Sequence, residues 1–167
     1  HAGGMPTLNL AGRDIVIVCT SLHHGNTRKV AEAMAAACGG HVFEPGDEAL
    51  RAAAACSLLG IGSGIFFGHP HKAVLAFADA LDGGRGRPVF IFSTSGTGER
   101  MARLVGRDYH RSLRKSLCAR GFHVKGEFSC RGYDTYAPWR VFGGFARGHP
   151  DAADLQNARE FILSLND

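Results

Sequence analysis

The stretch Ile15-Val16-Ile17-Val18-Cys19-Thr20-Ser21-Leu22-His23-His24-Gly25-Asn26-Thr27 decides how this chain folds. Ile15 to Cys19 is apolar and β-branched, the pattern of a strand buried on both faces in a parallel sheet. Beyond it, Val30, Ala33, Met34, Ala37 and Cys38 recur at helical spacing. The residues between are therefore a turn from a buried strand into a helix. Such a turn presents unpaired backbone N–H groups and the positive end of the helix dipole, which together favour an anion. Gly25 allows tight backbone geometry, and Ser21, Asn26 and Thr27 add hydroxyl or amide donors. No Lys sits in the turn, and the pattern G-x-x-x-x-G-K-[ST] is missing. That argues against a nucleotide triphosphate with magnesium and for one phosphate held by neutral donors. An ordinary capped turn reads the same way from these residues alone.

Outward from this turn the chain alternates strand and helix. His41–Glu44 reads as a short strand, Asp47–Ala55 as a helix and Cys56–Ile61 as a third strand. A helix is expected from Pro70 to Leu81, with Pro70 in its first turn. Pro88–Phe92 is a fourth buried strand, Met101–Arg120 a long helix, Phe122–Ser129 an edge strand and Asp151–Leu165 a closing helix. The segment 130–149 is long for a connection, and such loops are often functional. Residues 1–12 read as a tag remnant and tail ahead of one domain, 13–167, without a signal peptide. The five cysteines are odd in number, widely spread and never in C-x-x-C spacing, which suits reduced thiols in the cytoplasm. The nine histidines form no metal pattern, and no apolar run reaches membrane-spanning length.

Five strands alternating with helices imply an α/β fold: a three-layer α/β/α sandwich around a doubly wound parallel sheet. Ligands of such sheets sit beyond the carboxyl ends of the strands, where strand order reverses. Three stretches should converge there: the anion turn, Gly62-Ser63-Gly64-Ile65-Phe66-Phe67-Gly68, and Ser93-Thr94-Ser95-Gly96-Thr97-Gly98. A flat aromatic ring on a phosphate tail would match that crevice.

With Ser21 and Gly25-Asn26-Thr27, the 62–68 loop and Ser93-Thr94-Ser95-Gly96 in this order, the chain resembles the flavodoxin family from Arg13 onward. The resemblance implies strand order 2-1-3-4-5 and FMN bound without a covalent bond. It places the phosphate on Ser21, His23 or His24, Gly25, Asn26 and Thr27. It places the ring between Ser63, Gly64, Ile65, Phe66 and Phe67 on one side and Ser93, Thr94, Ser95 and Gly96 on the other, with Phe66 or Phe67 stacking on it. Phe66 and Phe67 could instead be core residues, and Ser93 and Thr94 helix caps. Two features depart from the family: one extra residue between Ser21 and Gly25, and a formal charge of +4 where familiar flavodoxins are acidic.

The positive charge is concentrated. Residues 100–147 carry 11 basic and 3 acidic side chains, while the rest of the chain is net negative. Arg100, Arg103, Arg107, Arg111 and Arg114 are spaced to form one stripe on a helix. This is either a solvated face or a docking surface for an acidic redox partner, with nucleic acid a lesser option. No Ser-His-Asp arrangement or carboxylate pair is identifiable in the sequence. The leading expectation is an FMN carrier passing single electrons between partner redox enzymes. The alternatives are an FMN-dependent quinone or porphyrinogen-type oxidoreductase, or a flavin-free interaction domain.

Overall fold

A computed structural model describes residues 14–20, 25–66, 68–95, 108–131 and 150–165. Strand β1 is Ile15–Thr20, followed by helix α1, Asn26–Cys38. Then come β2 (His41–Phe43), α2 (Asp47–Ala55), β3 (Leu58–Phe66) and β4 (His69–Pro70). The chain continues through α3 (Lys72–Ala80), β5 (Pro88–Ser95), α4 (Arg111–Ala119), β6 (His123–Arg131) and α5 (Ala152–Ser164).

The sheet order is β2-β1-β3-β5-β6, all parallel, and the two-residue β4 pairs antiparallel with β3. Leaving aside β4, this is the expected 2-1-3-4-5 order. Alternation along each strand divides the core into two layers. Ile15, Ile17, Leu58, Phe90 and Phe92 pack with Val30 and Met34 of α1 and with Ala158 and Ile162 of α5. On the other face Val16, Val18, Leu59, Ile61 and Ile91 pack with Ala53 of α2, Phe77 of α3 and Leu113 and Leu117 of α4. The expected three-layer sandwich is formed.

Four boundaries differ from the sequence reading. Residues 62–66 are strand rather than loop, because neighbouring strands pair with them: Thr20 with Ser63, Thr94 with Gly64, and β4 with Ile65 and Phe66. Ser93, Thr94 and Ser95 likewise belong to β5, paired with Ser129, Cys130 and Arg131, rather than to a loop. Pro70 lies in β4, not in a helical turn. Helix α3 starts at Lys72, capped by His71 Nδ1, which accepts from the Ala73 N–H at 3.0 Å. Helix α4 starts at Arg111, not Met101; residues 108–110 precede it in a turn, where Asp108 Oδ1 accepts from the His110 N–H.

Candidate functional site

At the carboxyl ends of the strands the side chains change from apolar to hydroxyl at one level. Thr20, Ser63, Ser93 and Ser129 occupy registered positions on β1, β3, β5 and β6. All four continue the alternation that carries Val16, Ile61 and Ile91 toward α2, α3 and α4. Ser63 Oγ donates to the Gly64 carbonyl at 2.6 Å and accepts from the His71 N–H at 2.8 Å. Thr20 Oγ1 is buried and has no hydrogen-bond partner among the described residues. A buried hydroxyl left unpaired costs free energy, so a strand end that keeps one is built to meet a polar group.

Helix α1 begins beside this row. Gly25 precedes it in the left-handed region at φ +66°, where an L side chain would be strained. Among the described residues no side chain caps the helix start, and its first turn holds no acidic residue. Thr27 and Thr94, both buried, share a hydrogen bond at 2.9 Å between their hydroxyl oxygens. That bond ties the first turn of α1 to the end of β5.

The structure therefore brings together Gly25, Asn26, Thr27, Ser63, Gly64, Ser93, Thr94 and Ser95 from three separate stretches. Ile65 lies one step beyond, paired with Pro70 in the β3–β4 hairpin, as does Phe66, paired with His69. Ser21, His23, His24, Phe67 and Gly96 lie outside the described residues, as do Arg100, Arg103 and Arg107 and the segment 132–149.

A second polar cluster sits directly under this row, and sequence reasoning missed it. Ser93 Oγ and His110 Nε2 are 2.6 Å apart, and His110 Nδ1 is 3.0 Å from Glu127 Oε1. Arg114 donates to both Glu127 oxygens and, bidentately, to Asp108 at 2.8 and 3.1 Å. The His110 hydrogen bond, followed by the Arg114 bonds, holds the Glu127 carboxyl down at about 2. Arg114 also lowers Asp108. So Arg114 is no free member of a basic stripe, and a stripe on one continuous helix is not what forms. Only Arg111 and Arg114 of the five lie on α4.

Glu127 reaches this cluster through a bulge. Val89 pairs with Val124 but Phe90 pairs with Gly126, which leaves Lys125 as an extra residue. Ahead of the bulge Val124 packs on the α2–α4 face; after it Phe128 and Cys130 pack on the α1–α5 face. The shift turns Glu127 toward His110, while Lys125 Nζ reaches the Leu165 carbonyl at 2.6 Å. No local sequence signal marks that extra residue.

A family model described as a flavodoxin domain matches residues 17–137. The chain belongs to the flavodoxin family. It is 34% identical over 150 residues to an uncharacterized protein of Methanocaldococcus jannaschii, covering 90% of this chain and 96% of that relative. A WrbA-like flavodoxin from Agrobacterium tumefaciens is similar in fold, with TM-score 0.66, 17% identity and coverage of 93% and 96% of the two chains. Oxidised flavodoxin 2 from Bacillus cereus matches with TM-score 0.64 and 18% identity, covering 91% and 97%. In this flavodoxin-family chain, no described helix is long and apolar enough to cross a membrane.

Proposed function

We propose that this flavodoxin-family protein is a cytoplasmic electron carrier that binds FMN non-covalently at the carboxyl ends of β1, β3 and β5. The observation that carries the reading is the buried Thr20 hydroxyl, without a partner among the described residues, beside the hydroxyl row at that end of the sheet. The start of α1 behind Gly25, without a side-chain cap or a first-turn carboxylate among the described residues, and the Thr27–Thr94 tie fit a phosphate tail, because helix-start backbone N–H groups favour an anion. Bound FMN supplies a ring that takes up and releases electrons. The chain's part is to bind, orient and shield it. Ser21, His23 or His24, Asn26 and Thr27 are assigned to the phosphate. Ser63 to Phe67 and Ser93 to Gly96 are assigned to the ring. Ser63, by holding the Gly64 carbonyl, fixes the backbone at the assigned ring edge.

An acidic partner protein is proposed to dock on the basic side of the crevice. Arg111 and Lys115 are exposed on α4. Arg100, Arg103 and Arg107 precede them in sequence. Such docking weakens with added salt. The five free cysteines support a reducing compartment.

The deciding experiment is a visible spectrum of the purified protein, followed by titration with FMN. Bound-flavin bands and quenched flavin fluorescence are expected. A colourless protein that leaves excess FMN fluorescent would overturn the reading, and steady oxidation of NAD(P)H by the loaded protein would make it an enzyme instead.

A further inference from the structure

At the amino end of the sheet, away from the crevice, one residue stands in a conformation its side chain disfavours. Arg85 has φ +52° and, among the described residues, is the one non-glycine with a positive φ. It is the first central residue of a turn closed by the Arg87 N–H on the Gly84 carbonyl at 2.9 Å. The second central residue, Gly86, has φ +78°. Turns of this hand favour Asn or Gly at both positions, because a Cβ crowds the backbone there. The turn is seated on the chain ahead of β6. The Gly84 N–H donates to the Arg120 carbonyl and the Gly86 N–H to the Gly121 carbonyl, each at 2.7 Å. Gly84 is packed so closely that a Cβ there would lie 2.6 Å from the Phe122 nitrogen. The fold therefore needs this turn, yet glycine at position 85 would form it with less strain.

The Arg85 side chain does nothing for the fold in return. It is exposed and makes no hydrogen bond, ion pair or ring contact among the described residues. Its neighbours differ. Arg87 donates to the Ala53 and Ala54 carbonyls at the end of α2, at 3.0 and 3.3 Å, and stands 5.4 Å over the Phe122 ring. Arg120 donates to the Leu81 carbonyl, just after α3, at 2.8 Å. Those acceptors are carbonyls at helix ends, which offset a guanidinium charge only in part. Asp14 and Asp82, exposed at the same end of the sheet, pair with none of the three arginines. Two anchored arginines and one free one thus share an edge with no carboxylate bound to them among the described residues. Strain kept at a position where the side chain has no structural task marks a recognition site.

We propose that Arg85, backed by Arg87 and Arg120, is the contact residue of a second docking surface, one that takes a carboxylate-rich segment of a partner protein. A guanidinium meets a carboxylate with two parallel hydrogen bonds, which gives such a contact direction as well as charge. A nucleic-acid strand fits less well, because the ring beside the arginines, Phe122, is buried under Arg87 and offers no stacking face to a base. Strand β5, with 8 residues, sets this edge about 25 Å from the crevice. A partner held here leaves the crevice open, and the surface stands whether or not flavin binds.

The experiment follows the backbone amides of the isotope-labelled full chain by NMR during titration with capped hexaglutamate. It compares wild type, Arg85→Gly, Arg85→Glu and Arg111→Glu. In the wild type the shifts are expected to gather on residues 84–87 and 120–123. Arg85→Gly should melt no lower than wild type, since strain is relieved, yet bind the peptide at this edge about fivefold more weakly, the upper worth of one exposed ion pair. Arg85→Glu should bind more weakly still, and Arg111→Glu should leave the affinity of this edge unchanged. Shifts absent from 84–87 and 120–123 overturn the proposal, as does an Arg85→Gly protein that binds like wild type. An Arg85→Gly protein that melts well below wild type also overturns it, because the side chain would then serve the fold. A heptathymidine strand of equal charge that binds this edge more tightly than the peptide overturns it in favour of nucleic acid.

Discussion

Replacing Gly62 by Ala should cost this fold about 3 kcal/mol. Gly62 lies on β3 opposite Phe92 of β5, and a Cβ built there would stand 2.1 Å from the Phe92 ring tip and 2.3 and 2.5 Å from the adjacent ring carbons. Ring tips normally swing aside cheaply, but this one cannot. Phe92 is fully buried, with its ring centroid 6.1 Å from that of Phe90, and Phe90 in turn meets Phe161 edge-on at 5.9 Å. Relief has to come from moving strand backbone or from an off-rotamer Phe92. Overpacking of that kind costs about 1–3 kcal/mol, and a contact this short belongs at the upper end. For a chain of this size the melting temperature should fall by roughly 6–12 °C. Urea denaturation with linear extrapolation measures the free energy directly. The decisive form is a double-mutant cycle. Phe92→Leu removes ring volume and on its own costs about 1 kcal/mol. Combined with Gly62→Ala, the total should fall well short of the sum, because the new methyl occupies what the ring vacated. Gly62→Ala within 0.5 kcal/mol of wild type, or additive with Phe92→Leu, would refute the close approach of ring and strand.

Three further outcomes are expected. Thr27→Val should destabilise by about 1–2 kcal/mol in urea denaturation by leaving the buried Thr94 hydroxyl unpaired, and the Thr27→Val/Thr94→Val pair should recover part of that. Because the folded Glu127 titrates near 2 and its ordinary value is 4.5, its stabilisation is complete above about pH 5 and fades as pH falls toward 2. Wild type should exceed Glu127→Gln by about 1–2 kcal/mol at neutral pH, with the difference shrinking steadily as pH falls from 5 toward 2, read from acid-unfolding curves. In a native-state thiol assay Cys118, which is exposed, should react fast and Cys38 slowly. Cys19 and Cys130, pushed up to about 12 by burial, and Cys56, pushed up to about 11, should stay silent until unfolding.

Much of this architecture is legible in the chain. Ile15–Cys19 and Pro88–Phe92 announce buried parallel strands, and Asp47–Ala55 begins and ends where its periodicity says. The strand ends are less legible. Gly62-Ser63-Gly64 and Ser93-Thr94-Ser95 are turn-forming in composition, and only the strands on either side, through their ladder bonds, make them extended. The same composition marked them as site residues, because small hydroxyl side chains at strand ends suit both a turn and a ligand. His110 and Glu127 were invisible for a different reason. Each sits 17 residues from its partner in the cluster, on separate elements, and the bulge at Lys125 decides which face Glu127 takes. Arg114 looked like one charge in a row, since neither Asp108 nor Glu127 stands at a helical spacing that would betray the fork it forms.

The layer formed by α1 and α5 joins the first and the last of the described helices. Ile15, Ile17, Val30 and Met34 are made well before their cover, which includes Ala158, Ile162 and Leu165. On a ribosome, the α2–α4 layer draws, among the described residues, on nothing later than Val124, whereas the α1 side stays partly bare until residues 152–165 have left the exit tunnel. An incomplete nascent chain thus shows a greasy flank of fixed composition, the surface to which a chaperone would hold and from which premature aggregation would start.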